Sequence, residues 1–176
     1  MIASKVEEIY PPELRDFYYV SDKAHPKSEL ATMENKILSS LSFDLIYASP
    51  YKFLSRIQEA SMLKGKETFF VAQYFIEMSM LDCNLSTKKS SVKAASAYYL
   101  ALKITNNLNK FEKCMDEIAE ICGTNPSMIK TTAKEICKLY EEIIANKKLT
   151  QSLNEKFMKE KYSRASQIIS DFVKSK

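Results

Sequence analysis

The sequence predicts an all-α fold, and three observations predict it. Apolar residues recur at helical spacing through most of the chain. Only 2 of the 176 residues are glycine, which leaves little material for hairpin turns or phosphate-cradling loops, both of which need positive-φ backbone. Hydrophobic residues make up 45% and charged residues 27%, the balance of a globular rather than a disordered chain. That length suits one ordinary domain or two small ones and can bury a core without disulfide or metal staples.

Taken in order, residues 1–9 read as a helix end stopped by Pro11 and Pro12. A short helix over 12–20 follows, with Leu14, Phe17 and Tyr18 inward, and then the loop SDKAHPKS. Helix 27–41 carries Leu30, Met33, Ile37, Leu38 and Leu41 on one stripe, with Pro26 at its first turn. SFDLIYASP reads as an extended linker to helix 51–62, which KGK breaks. Helix 66–82 is apolar on almost every side, including Leu81, and is too short for a membrane, so it reads as a central buried helix. Helix 88–105 is similar, and Ala94, Ala95 and Ala97 let neighbours approach closely. Helix 109–122, with Phe111, Cys114, Met115, Ile118 and Cys122, ends at Gly123 as C-terminal cap. Helix 125–145 starts on Asn125 and Pro126, with a stripe of Ile129, Ala133, Ile136, Cys137, Tyr140, Ile143 and Ile144. A last helical segment covers 150–172.

Composition also excludes function classes. The net charge of +4, from 26 basic and 22 acidic residues, is dispersed along helix faces and lacks the one-sided excess of a nucleic-acid binder. None of Cys83, Cys114, Cys122 and Cys137 forms a C-x-x-C pair. The last three occupy apolar positions, as buried thiols in a reducing compartment would. His25, the single histidine, lies in a loop, so a catalytic triad or multi-histidine metal site has nothing to build on. No G-x-S-x-G, H-E-x-x-H or Walker pattern occurs. The longest apolar run, Ala97 to Leu102, falls far short of the ~18 residues of a membrane span. No signal-peptide pattern follows Met1, so an intracellular protein is expected. An all-α chain without a catalytic constellation works by offering a surface.

The opening residues say which surface. ASKVEEIYPPE, DFYYVSD and MENKILSSLSFDL form an ordered series that resembles the second half of a cyclin box. QYFIEMSMLD, SSVKAASAYYLALKI and EKYSRAS resemble the second box of A- and B-type cyclins, with the mitotic B-type group the nearer match. The resemblance spans about 1–165. It implies a cyclin-like helical repeat: the last helices of a first box in 1–45, a complete five-helix second box in 46–165, and a tail in 166–176. The family's first two helices, which carry the M-R-A-I-L motif and a substrate-docking patch, have no counterpart here, nor does the family's destruction box. Apolar faces of 1–9 and 12–20 are therefore expected to be uncovered, as surface for a partner or a cause of aggregation.

By the same resemblance the chain is not an enzyme but a regulatory subunit. It would bind and activate a cyclin-dependent serine/threonine kinase in the mitotic cell cycle, in nucleus and cytoplasm. In that family the first box grips the kinase's C helix, turning it inward to complete a Lys–Glu pair and reshape the activation loop, and the resemblance implies the same here. Lys5 matches the family lysine that donates to kinase backbone carbonyls, and Glu34 its acidic partner, which accepts from kinase amides. Ile2, Val6, Leu38 and Leu45 match the pocket for an aliphatic kinase side chain, with Phe43 beside it. Val6 stands where the family commonly has an aromatic residue, which implies a shallower pocket. No cofactor, metal, nucleic acid, membrane or small-molecule substrate is implied. Two alternatives stay open: a cyclin-fold interaction adaptor or gene fragment without activating ability, and a nucleic-acid-binding member of the wider fold such as transcription factor IIB.

Overall fold

A computed structural model describes residues 1–60, 65–105, 108–144 and 147–175, with the side chains of 108–114 and 147–150 outside the description. The described residues form helices joined by turns and loops and contain no strand. They form two units, Met1–Tyr47 and Ala48–Lys176.

The first unit holds α1 (Ile2–Glu7), α2 (Leu14–Val20) and α3 (Lys27–Ser40). The diproline ends the reach of α1, and α2 starts where the Asp16 carboxylate accepts from the Glu13 N–H at 2.8 Å. Leu14, Phe17 and Tyr18 face α3 and are half-buried, as their spacing predicts.

The second unit holds α4 (Pro50–Ala60), α5 (Lys66–Ser79), α6 (Cys83–Ser86), α7 (Ser90–Ile104), α8 (Leu108–Ile121), α9 (Pro126–Ile144), α10 (Lys147–Phe157), a 3₁₀ turn (Glu160–Tyr162) and α11 (Ala165–Lys174). The central position expected of the two apolar helices is what is found. Helix α7 packs against α4, α5, α8, α9 and α11. Ala94, Ala95, Ala97 and Ala101 are fully buried on it, and these small residues bring its neighbours close. Buried hydroxyls tie the layers: Ser96 Oγ donates to the Ile129 carbonyl at 3.1 Å, and Tyr74 Oη donates to Asn154 Oδ1 at 2.8 Å. Burial, then the neighbouring Tyr140, push the Tyr74 phenol well above its usual range, so it remains a donor. The caps also match expectation. Gly123 adopts φ +57° after α8, and Asn125 Oδ1 accepts from the Met128 N–H at 2.8 Å to start α9.

Several expectations are corrected. The central helix 66–82 ends at Ser79, and Asp82 opens the short helix α6 by accepting from the Leu85 N–H at 2.7 Å, which leaves Leu81 exposed. The segment 150–172 is two helices, because Ser163 and Arg164 both take left-handed backbone with φ near 50°. Residues 166–174, expected in a tail, belong to α11, where Ser166 and Ile169 are buried. Cys122 is buried, but Cys137 is exposed, one step off the stripe of Ile129, Ala133 and Ile136. Ile144 is likewise exposed while Ile143 is buried. The expectations for Ser61 and Met62 at the end of helix 51–62, for Lys64 of the KGK break, and for the side chains of Phe111 and Cys114 lie outside the described residues. One buried group carried no sequence signal. Lys93 is almost wholly buried on α7, and its Nζ donates to the Ser86 carbonyl at 2.8 Å. No helix among the described residues is long and apolar enough to cross a membrane.

Candidate functional site

The residues that the resemblance singles out, Ile2, Lys5, Val6, Glu34, Leu38, Phe43 and Leu45, all lie in the first unit. Helix α1 is barely two turns long, and Ser4 Oγ donates to the Met1 carbonyl at 3.1 Å. The length brings Ile2 and Val6 onto one side of the helix, four residues apart. Lys5 sits in the last turn, where a cation complements the helix carbonyls. Helix α3 opens after Pro26, where His25 Nδ1 lies 3.1 Å from Glu29 Oε2. Its 14 residues carry Glu34 to mid-helix and set Leu38 one turn beyond it on the same side.

Lys5 and Glu34 meet. The Lys5 ammonium lies 2.8 Å from both Glu34 carboxylate oxygens. The two partners differ in access: the Glu34 side chain is 14% exposed and the Lys5 side chain 48%. An ammonium has three N–H donors and a carboxylate about four acceptor sites. A two-pronged pair therefore keeps one donor and several lone pairs for outside groups. Each charge of the pair offsets part of the desolvation that burial would impose on the other.

The end of α3 shapes the rest. Ser42 and Phe43 both adopt left-handed backbone, with φ 51° and 57°, and the Phe43 N–H donates to the Leu38 carbonyl at 2.8 Å. A non-glycine residue there costs on the order of 1 kcal/mol, and an aromatic one is uncommon. The turn holds Phe43 outward, 67% exposed. Val6 is 53% exposed, whereas Ile2, Leu38 and Leu45 are half-buried. The structure thus unites Lys5 and Glu34 and places the five apolar residues on or just beyond the same two helices. Sequence reasoning missed the backbone turn at Phe43, which no glycine announces. It anticipated the uncovered faces nearby: Ile9, Tyr10, Tyr19 and Val20 are all strongly exposed.

Comparison with known proteins fits this geometry. Residues 1–46 match the cyclin N-terminal domain and residues 48–171 the cyclin C-terminal domain. A G2/mitotic-specific cyclin-B of Hydra vulgaris is 36% identical over 109 residues, 62% of this chain and 30% of the relative. A G2/mitotic-specific cyclin-B3 of Gallus gallus is 38% identical over 106 residues, 60% and 26% of the two chains. A G2/mitotic-specific cyclin-A of Hydra viridissima is 31% identical over 145 residues, 72% and 34% of the two chains. The chain therefore spans about a third or less of the length of these relatives. With the two cyclin domains matched in order along the chain, the C-terminal one over well over half of it, and with the N-terminal box short, the protein belongs to the cyclin family.

Proposed function

We propose that this chain is a regulatory subunit that binds and activates a cyclin-dependent serine/threonine kinase of the mitotic cell cycle, acting in nucleus and cytoplasm. The observation that carries the reading is the Lys5–Glu34 pair, presented beside exposed Val6 and Phe43 on the first unit. The chemistry suits a helix end or loop of a kinase. Lys5 offers donors to backbone carbonyls, Glu34 offers acceptors to backbone amides, and the flanking apolar groups seat an aliphatic side chain. The chain does no chemistry itself. It would supply binding energy that selects the kinase's active arrangement.

A stable complex of this kind buries on the order of 2,000 Å² or more. Replacing Lys5 and Glu34 together by alanine should weaken kinase binding by about 2 kcal/mol or more, roughly 30-fold. The test is stimulation of a purified cyclin-dependent kinase on a histone substrate. The wild-type chain should raise the rate and the double variant should require a far higher concentration to do so.

A second reading, a cyclin-fold adaptor that binds without activating, is favoured by one observation. No residue of the first unit is buried, so its apolar faces are open to a partner of another kind. Kinase binding without stimulation in the same assay would support it.

A further inference from the structure

A second surface lies in the other unit, away from the residues of the kinase grip in sequence and in chemistry. Helices α7 and α9 border a groove of about 320 Å³ whose lining includes Lys103, Lys130, Lys134 and Lys138. Glu141 is the one acidic residue among the lining side chains. Lys130, Lys134 and Lys138 recur every four residues, so they stack along one side of α9, where like charges repel. The acids that could relieve them are mostly engaged or distant. Glu135 pairs with Lys88 outside the groove, and Glu142 reaches Lys138 only at 3.6 Å. Among the described residues, no carboxylate pairs with Lys103, Lys130 or Lys134.

The groove runs into an apolar pit of about 300 Å³, since both are lined by Leu100, Lys103, Cys137 and Glu141. Phe75, Tyr140, Ile144 and Phe172 of α11 line the pit. A row of lysines beside a pit the size of one or two bulky side chains has a definite complement. We propose that this depression is a docking site for a peptide segment carrying a bulky apolar anchor flanked by acidic or phosphorylated residues. The anchor fills the pit, and the flanking anions neutralise the lysine row and steer association. Four lysines with an apolar pit suit a short acidic peptide better than a nucleic-acid backbone, which needs a longer track of charge. This inference does not rest on kinase binding and stands or falls separately.

The test selects peptides from a random 12-residue display library on the full chain. The enriched peptides should combine acidic residues with a Leu, Ile, Met or Phe anchor. Fluorescence polarisation should show at least tenfold weaker binding to the Lys130→Glu/Lys134→Glu/Lys138→Glu variant, whose exposed positions leave helical circular dichroism unchanged, and weaker binding as salt rises. Ile144→Glu, on the half-open rim of the pit, should abolish the preference for an anchor while leaving the preference for acid. Bound peptide should slow alkylation of Cys137 and leave Cys83 unaffected. Failure to enrich acidic peptides, binding indifferent to the triple variant, or salt-sensitive binding to single-stranded oligonucleotide with none to acidic peptide would overturn the proposal.

Discussion

The two units handle apolar residues in opposite ways. In Ala48–Lys176, α5 and α7 are apolar nearly all round, and amphipathic helices cover them, so Val71, Met78, Tyr98 and Leu102 disappear from the surface. In Met1–Tyr47 the same kinds of residue stand on helices that bury none of them. Val6, Ile9, Tyr19, Met33 and Phe43 remain exposed. The first pattern is that of a core, and its energy goes into folding. The second is a surface rich in anchor residues around the Lys5–Glu34 pair, and its energy becomes available when something covers it.

The largest test of this contrast is a pair of truncations. Phe157 is fully buried against Tyr74 and Tyr162, so Phe157→Ala should cost about 3–5 kcal/mol, read from the urea midpoint. Leu38→Ala, on the half-buried side of α3, should cost about 1 kcal/mol or less by the same measurement. Equal losses at the two sites would erase the distinction. A similar asymmetry applies to the charges. The Lys5–Glu34 pair has a half-exposed lysine, so its removal should change folding stability by less than about 1 kcal/mol even while it weakens docking.

Thiols report the interior of the second unit. Burial pushes the Cys122 thiol up to about 11, with a smaller opposing pull from Arg56. The folded chain therefore holds this proton after the unfolded thiol, near 9, has lost it. Stability from this group is complete below about pH 9 and declines as pH rises through about 11. Urea titrations between those values should show a shallower decline for Cys122→Ala, after allowing for its constant loss of packing. At neutral pH, iodoacetamide should modify Cys83 and Cys137 quickly and Cys122 only under unfolding conditions, as peptide mass mapping would show. The smallest effect concerns the backbone. Ser42→Gly should stabilise the turn after α3 by up to about 1 kcal/mol, because glycine accepts φ 51° without cost; slower amide exchange at Phe43 would show it.

Much of this organisation was legible before the structure, for physical reasons that differ by element. Helices α5 and α7 announced themselves because apolar residues on every side can be satisfied only by burial. Gly123, Asn125 and Pro126 marked the junction of α8 and α9 through backbone chemistry that few other residues provide. The break at Ser163 and Arg164 gave no such sign, since both are residues that seldom take left-handed backbone. Cys137 misled because a cysteine one position off a stripe looks like part of it. Lys93 shows the limit of charge as a surface marker: its partner is a main-chain carbonyl, which no residue name reveals. Composition and spacing could not bring Lys5 and Glu34 together, because their meeting depends on how α1 and α3 pack; the family resemblance singled them out.

The central claim is the proposal that a cyclin-dependent kinase docks on the first unit through Lys5 and Glu34. Amide hydrogen exchange on the full chain, with and without a saturating cyclin-dependent kinase, tests it most directly. The account predicts that protection gained on binding concentrates in α1, in α3 and at the Phe43 turn, and that it is lost in the Lys5→Ala/Glu34→Ala variant. Protection confined to α7, α9 and α11, or unchanged by that substitution, would contradict it.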